Sequence, residues 1–399
     1  MAALCSRVPP PRQAGLRRLR GGDGAVLDRG MVLWMPGPGS YTGEDSAELY
    51  LHGGRAVLDG VADALVVLGA RPAEPGEFTR RAFLNGRMDL TTAEAVHDLV
   101  AAETAEQRRQ ALRQLDGALG AVYRGWAERL RMLLAHQEAL IDFSDEDLPD
   151  PVEAALLAEL DALAGDMAAA LADGRRGERL REGLVFAVVG QPNVGKSSLI
   201  NALAERDVAI VSPLPGTTRD ALEARVVLGG VPVTLVDTAG LREAADAIEA
   251  EGVRRARARA AEADLVIAVI EAGGHAVDGG IDGRVLRVAN KVDLGGSVPS
   301  GAVGVSALTG EGLDALRCRL ADEARALTES GGPPPLTRAR HRAALQEARA
   351  LLAESREADW PELRAESLRL ALRALGRVTG EVASEEILGL IFGQFCIGK

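Results

Sequence analysis

The sequence predicts a multidomain chain: an α/β domain with a parallel sheet, inserted into an α-helical domain and preceded by a small α/β domain. Three observations carry this. Short, wholly apolar runs at Leu184 to Val189, Val231 to Val236, Leu265 to Ile270 and Arg284 to Ala289 alternate with helical stretches, the texture of buried strands in a βαβ series. On both sides lie Ala-, Leu-, Glu- and Arg-rich segments with apolar positions three and four apart, such as Leu112, Leu115, Leu119, Val122 and Trp126 before, and Leu336 to Leu375 after. In front, residues 26 to 82 mix short apolar runs with turn clusters such as Pro36-Gly-Pro-Gly39. The expected divisions are 1–86 for the front domain, 87–182 and 326–399 for the two parts of the helical domain, and 183–325 for the insert.

Composition bounds the function classes. With 399 residues, 47% hydrophobic and 26% charged, the chain can build more than one core and is too apolar for wholesale disorder. Lys plus Arg number 46 against 58 Asp plus Glu, a net charge of -12, so polyanion contact must come from local patches. Three scattered cysteines, Cys5, Cys318 and Cys396, fit neither a disulfide framework nor a zinc site. No apolar run reaches the roughly 18–20 residues that span a bilayer, and a cytoplasmic location is expected. The basic, Pro-rich first twenty residues read as out of place at an ordered terminus.

The first apolar run leads directly into Gly190-Gln-Pro-Asn193-Val194-Gly195-Lys196-Ser197 and a helical Ser198-Leu-Ile-Asn-Ala-Leu203. This is G-x-x-x-x-G-K-[ST] between a strand and a helix. Its glycines let backbone N–H groups face phosphates at the positive helix end, Lys196 reaches the β and γ oxygens, and Ser197 ligates Mg²⁺. The domain is therefore expected to be a Ras-like P-loop α/β fold.

The base-reading elements point to GTP. Asn290-Lys291-Val-Asp293 ends an apolar strand, where a carboxylate accepts hydrogen bonds from the guanine N1–H and N2–H₂ edge that adenine lacks, and Lys291 lays its stem along the base. Ser306-Ala307-Leu308 follows a further strand-like run and offers backbone N–H to the guanine oxygen. Between the phosphate loop and Asn290 lie Gly216-Thr217-Thr218 and Asp237-Thr238-Ala239-Gly240: Thr218 completes the Mg²⁺ shell, Asp237 holds it through water, and the Gly240 N–H senses the γ-phosphate. Leu241 stands where Ras-like enzymes carry a water-orienting Gln.

These motifs, together with Ser40-Tyr-Thr-Gly-Glu-Asp45, His52-Gly-Gly54, Pro75-Gly-Glu-Phe-Thr79 and the terminal Phe395-Cys-Ile-Gly-Lys399, closely resemble the MnmE (TrmE) family of tRNA uridine modification GTPases. The resemblance covers about residue 9 to 399. It implies a G domain inserted in a helical domain, a folate-binding amino-terminal domain that dimerises, and a GTPase stimulated by K⁺. The K⁺ ligands would be Asn193, Ser212, Leu214 and Thr217. Glu249 matches the family's water-orienting acid, although it also reads as a solvated acid beside Glu251. Cys396 matches the cysteine of the modification step, although a lone cysteine between two apolar residues also reads as core. The implied partner is MnmG, an FAD protein, and the implied product is wobble uridine (position 34) modified at carbon 5, with its carbon from a tetrahydrofolate derivative.

The amino terminus departs from the family: about thirty residues carrying a Gly-rich, Arg-containing turn are expected and not found, which leaves Glu48, Arg87 and Lys399 as the matches to the folate pocket. A mis-assigned start is one explanation and a degraded copy another. The alternative from another class is a GTP-dependent ribosome-assembly or RNA-binding switch; the terminal motif and the helical frame favour the enzyme.

Overall fold

The computed structural model describes all residues except 143–149, 207–222, 238–262, 275–282, 330–334, 383, 397 and 399. It divides into two compact units, one formed by Met1–His97 with Gly376–Lys399, the other by Asp98–Leu375.

In the first unit, strands β1 (Gly15–Arg20), β2 (Val26–Met35) and β3 (Ser46–Tyr50) form an antiparallel sheet in that order. Alternation gives it one apolar face: Leu19 and Val32 are fully buried, with Val61 of helix α1 (Arg55–Val67) packed over them. The first twenty residues are integral to this core, contrary to the sequence expectation. Leu4 and Cys5 are buried, Cys5 bridges to Leu19, and the Arg20 N–H donates to the Leu4 carbonyl at 2.9 Å. The high Arg and Pro content misleads because β1 buries only Leu19, leaving its arginines exposed or half-buried around that one anchor. Helices α2 (Glu77–Leu84) and α3 (Leu90–Ala101) follow.

The second unit begins with the end of α3 and continues through α4 (Ala105–Leu115), α5 (Ala118–Asp142), α6 (Asp150–Leu171) and α7 (Arg176–Glu182). A capping box starts α4: the Thr104 hydroxyl accepts from the Gln107 N–H, and the Gln107 side chain accepts from the Thr104 N–H. The apolar stripe read across Leu112 to Trp126 is broken in phase here. Gly117, at φ 84°, ends one helix and starts another. Leu112 is consequently exposed, and Tyr123, Leu130 and Leu133 join Leu119 and Trp126 inside.

The chain then enters a six-stranded sheet of order β5-β6-β4-β7-β8-β9. Its strands are β4 (Leu184–Gly190), β5 (Glu223–Leu228), β6 (Val231–Asp237), β7 (Leu265–Glu271), β8 (Val285–Asn290) and β9 (Ala302–Gly304), with helix α8 (Lys196–Arg206) following β4. All neighbours run parallel except β5 and β6. The four apolar runs are the four central strands. Edge strand β5 was not expected, because Glu223 and Arg225 interrupt its apolar pattern. One core joins both faces, including Phe186, Leu199, Leu235 and Val288 with Leu316 and Leu320 of α9 (Leu313–Thr328). Truncating such a side chain to alanine typically costs about 2–5 kcal/mol.

The helical part resumes with α10 (Ala339–Glu357) and α11 (Pro361–Thr379). Ion pairs fasten both passages between helical part and sheet. Asp98 Oδ1 accepts from Arg181 Nε at 3.1 Å and from Arg338 Nη2 at 2.7 Å, and Arg342 reaches Asp173 at 2.6 Å and Glu178 at 2.9 Å. Arg179 likewise meets Asp264 at 2.7 Å, whose other oxygen accepts from the Val185 N–H at 3.0 Å.

The final helix, α12 (Glu385–Phe392), belongs to the first unit, where Leu388, Phe392 and Phe395 bury against Leu90 and Ala93. Gly76 is indispensable there: its φ is 66°, and a Cβ would lie 2.6 Å from the Phe392 carbonyl oxygen. No described helix is long and apolar enough to cross a membrane.

Candidate functional site

The site forms at the carboxyl ends of β4, β6, β7 and β8, where open α/β sheets bind ligands because the loops leave the sheet there. Strand β4 ends at Gly190, and the loop to α8 passes through Asn193 at φ 62° and Gly195 at φ 90°. This left-handed turning curls the backbone around the α8 amino terminus, a ready anion cradle. Lys196 is 5% exposed, and its Nζ donates to the carbonyls of Gly190 at 3.0 Å and Gln191 at 2.7 Å. The ammonium is thus held over the cradle by the loop itself.

Next to it, Ser197 Oγ donates to Asp237 Oδ2 at 2.6 Å. The helix supplies the hydroxyl and the end of β6 the carboxylate, so a paired alcohol and carboxylate face one point. Hard oxygen donors of this kind suit Mg²⁺, which P-loop sites hold with one or two protein oxygens and the nucleotide phosphates. No group of three or more His, Cys, Asp or Glu residues that could hold a metal unaided occurs among the described residues.

Asn290 staples three loops together. Its Nδ2 donates to the Val194 carbonyl at 2.9 Å and its Oδ1 accepts from the Ala307 N–H at 3.0 Å, with the side chain 2% exposed. Gly195 must be glycine, since a Cβ there would come within 2.4 Å of Asn290 Nδ2. Ser306 is fully buried, and its Oγ accepts from the Thr309 N–H at 3.1 Å, which shapes the turn bearing Ala307 and the exposed Leu308. Lys291 stands at φ 65°, and Asp293 is exposed on the short 3₁₀ turn Val292–Leu294. Sequence reasoning missed Glu271, whose Oε2 lies 3.3 Å from Lys291 Nζ. The only local signal was an acid ending an otherwise apolar strand.

The structure therefore brings Val194, Gly195, Lys196, Ser197, Asp237, Asn290 and Ala307 into one connected set, with Asn193 and Ser198 exposed on the same loop and helix start. Ser212, Leu214, Thr217, Thr218, Thr238, Ala239, Gly240 and Glu249 lie outside the described residues. In the first unit, Glu48 on β3 accepts from the Tyr50 hydroxyl at 2.5 Å, which pushes that phenol above its usual pKa. Arg87 lays its stem beside Gly43. No hydrogen bond joins Glu48 to Arg87, and Lys399 lies outside the described residues. Cys396 is exposed, contrary to the core alternative, and its carbonyl accepts from the Gly76 N–H at 3.4 Å.

A glycine-turned phosphate loop, a serine–aspartate pair at its mouth and an Asn-Lys-x-Asp edge on one mostly parallel sheet define a P-loop GTPase. Residues 1–87 match the family model described as GTP-binding protein TrmE N-terminus, and residues 90–396 match that of the MnmE helical domain. The chain belongs to the MnmE (TrmE) family. It is 63% identical over 402 residues to the tRNA modification GTPase MnmE of Gluconacetobacter diazotrophicus, covering 99% of this chain and 92% of that one. It is 57% identical to the proteins of the same name from Granulibacter bethesdensis, covering 99% and 92%, and Rhodospirillum rubrum, covering 100% and 93%.

Proposed function

We propose that this chain hydrolyses GTP in a K⁺-stimulated reaction and uses the cycle, with an FAD-dependent partner of the MnmG kind, to modify carbon 5 of the wobble uridine of tRNA. The observation that carries the GTP part is the Asn290 staple, which joins the phosphate loop to the base-reading turns in one rigid frame. The tRNA part rests on the relatives' printed name.

In this reading Lys196 and the loop N–H groups bind the β and γ phosphates, while Asp293 and the Ala307 N–H read the guanine edge. Ser197 and Thr218 would ligate Mg²⁺, with Asp237 acting through water, and the ion they hold would supply neutralisation of charge on the phosphate oxygens. The Asn193 side chain, on a left-handed and exposed residue, suits a K⁺ ligand as an oxygen donor. Ser212, Leu214 and Thr217 would complete that site, and Glu249 would orient the attacking water. The exposed Cys396 thiol is free to meet a partner's active site, and Glu48, Arg87 and Lys399 would serve a folate donor. The active species would be a cytoplasmic homodimer.

Single-turnover GTP hydrolysis in K⁺ against Na⁺ tests the cation assignment; equal rates would refute it. Wobble-uridine modification in cells whose only copy of this gene carries Cys396→Ser tests the second step. Full modification there would remove Cys396 from it.

A further inference from the structure

Glu271 occupies a place in the site that neither the phosphate loop nor the guanine motif explains. Strand β7 lies between β4 and β8, so its end separates the phosphate cradle from the base-reading edge. Register puts Val269 opposite Gly190, where the cradle begins, and Glu271 opposite Asn290. The acid therefore stands two residues beyond the start of the cradle, at its lip. Its backbone is locked: the Ala272 N–H donates to the Asn290 carbonyl at 2.8 Å, the Gly274 N–H to the Glu271 carbonyl at 2.9 Å, and the Gly273 N–H to the Ser297 carbonyl at 2.8 Å. A rigid strand end thus aims a carboxylate at Lys291, 3.3 Å from its ammonium, with the two side chains 49% and 31% exposed.

A lysine stem has four rotatable bonds, and ordering a free one against a ligand costs up to about 1.5–2 kcal/mol of rotamer freedom. A partner that holds the ammonium before the ligand arrives removes part of that cost, which is how preorganisation raises affinity. Asn290 cannot take this role, because both ends of its amide are committed to Val194 and Ala307.

We propose that Glu271 is a positioning residue for guanine-nucleotide binding: its carboxylate anchors Lys291 so that the lysine stem is set as one wall of the base pocket. This rests on the reading of Lys291 as a base-contacting residue. The test is a double-mutant cycle on the full chain, with dissociation of a fluorescent GDP analogue as the readout. Glu271→Gln should release the nucleotide about two- to fivefold faster, the range expected of a half-exposed ion pair. Lys291→Met should release it faster still, and adding Glu271→Gln to Lys291→Met should change nothing further. The Glu271→Gln effect should shrink near 1 M salt, where screening length falls to about the pair's separation, and the unfolding midpoint should stay at that of the parent. Multiplicative effects of the two substitutions, a salt-independent effect, or a loss of stability that accounts for faster release would each overturn the proposal. If Lys291→Met alone leaves release unchanged, the reading of Lys291 fails and the proposal with it.

Discussion

Ser197 on the first turn of α8 and Asp237 at the end of β6 share one short hydrogen bond of 2.6 Å, although 40 residues separate them in the chain. The bond ties the phosphate loop to the strand that ends at Asp237. A hydroxyl–carboxylate contact of this length is charge-assisted and among the stronger kinds of hydrogen bond. It holds two Mg²⁺-seeking oxygens where an ion with its phosphates would be met.

Removing either partner should therefore be felt in metal dependence before it is felt in folding. Asp237→Asn keeps the shape and lowers the acceptor charge, and support lost behind a metal ligand typically costs about 10–100-fold in metal affinity. The Mg²⁺ concentration for half-maximal hydrolysis should rise by that order, with a far-ultraviolet spectrum like the parent's. An unchanged Mg²⁺ requirement would contradict the assignment.

Gly195→Ala should disable the site by geometry. The residue sits at φ 90°, and the added Cβ would come within 2.4 Å of Asn290 Nδ2. Left-handed strain of about 1–3 kcal/mol adds to displacement of the Asn290 staple. Calorimetric titration with GDP should show affinity lower by about tenfold or more.

Asp293→Asn should exchange the preferred base. In the proposed pose the carboxylate would accept from two guanine donors, whereas an amide would accept from one and confront the other with its own N–H₂. GTP binding should weaken by at least about tenfold, while xanthosine triphosphate, whose altered edge suits the amide, should gain. Competition between the two nucleotides measures the exchange.

Asp98 should matter to the joint between helical part and sheet. One of its oxygens accepts from both Arg181, just before β4, and Arg338, just before α10. The carboxylate is 11% exposed and the arginines 23% and 12%. Asp98→Ala leaves two half-buried guanidiniums without this partner, a change that lies between the surface and buried extremes and should cost about 2–3 kcal/mol. Thermal unfolding would show it. Asp98→Asn, which keeps one acceptor, should lose less.

What the sequence made legible follows distance along the chain. The phosphate loop was readable because strand, glycines, lysine and helix are contiguous, and the central strands because burial on both faces makes them uniformly apolar. Strand β5 was missed because an edge strand tolerates Glu223 and Arg225 on its open side. The start of the chain was misread because Leu4 and Cys5 gain their meaning only from Leu19 across the sheet. Leu112 was assigned to the buried stripe because Gly117 resets the helix phase where the apolar spacing continues. Glu271 shows the same limit within the site: its relation to Lys291 is a matter of strand register, which no local pattern encodes.

Acid should loosen the first unit through Glu77. This carboxylate, on the first turn of α2, accepts from Arg71 Nη1 and Nη2 at 2.8 Å each, from Arg81 Nη2 at 2.7 Å and from the Glu74 N–H at 2.9 Å. Arg71 first, then Arg81 and the Glu74 N–H, pull its pKa from 4.5 down to about 2. Because the folded chain holds the proton less tightly than the unfolded one, Glu77 stabilises the fold above pH 4.5, and that contribution drains away as pH falls towards about 2. Glu44, whose pKa is lowered by Asn85 and then Arg81, acts in the same direction. Glu77→Gln should therefore unfold at lower urea than the parent at pH 7, and the gap between the two should narrow on acidification below pH 4.5. A gap that stays constant down to pH 3 would mean that the arginines owe their hold on α2 to packing and not to charge.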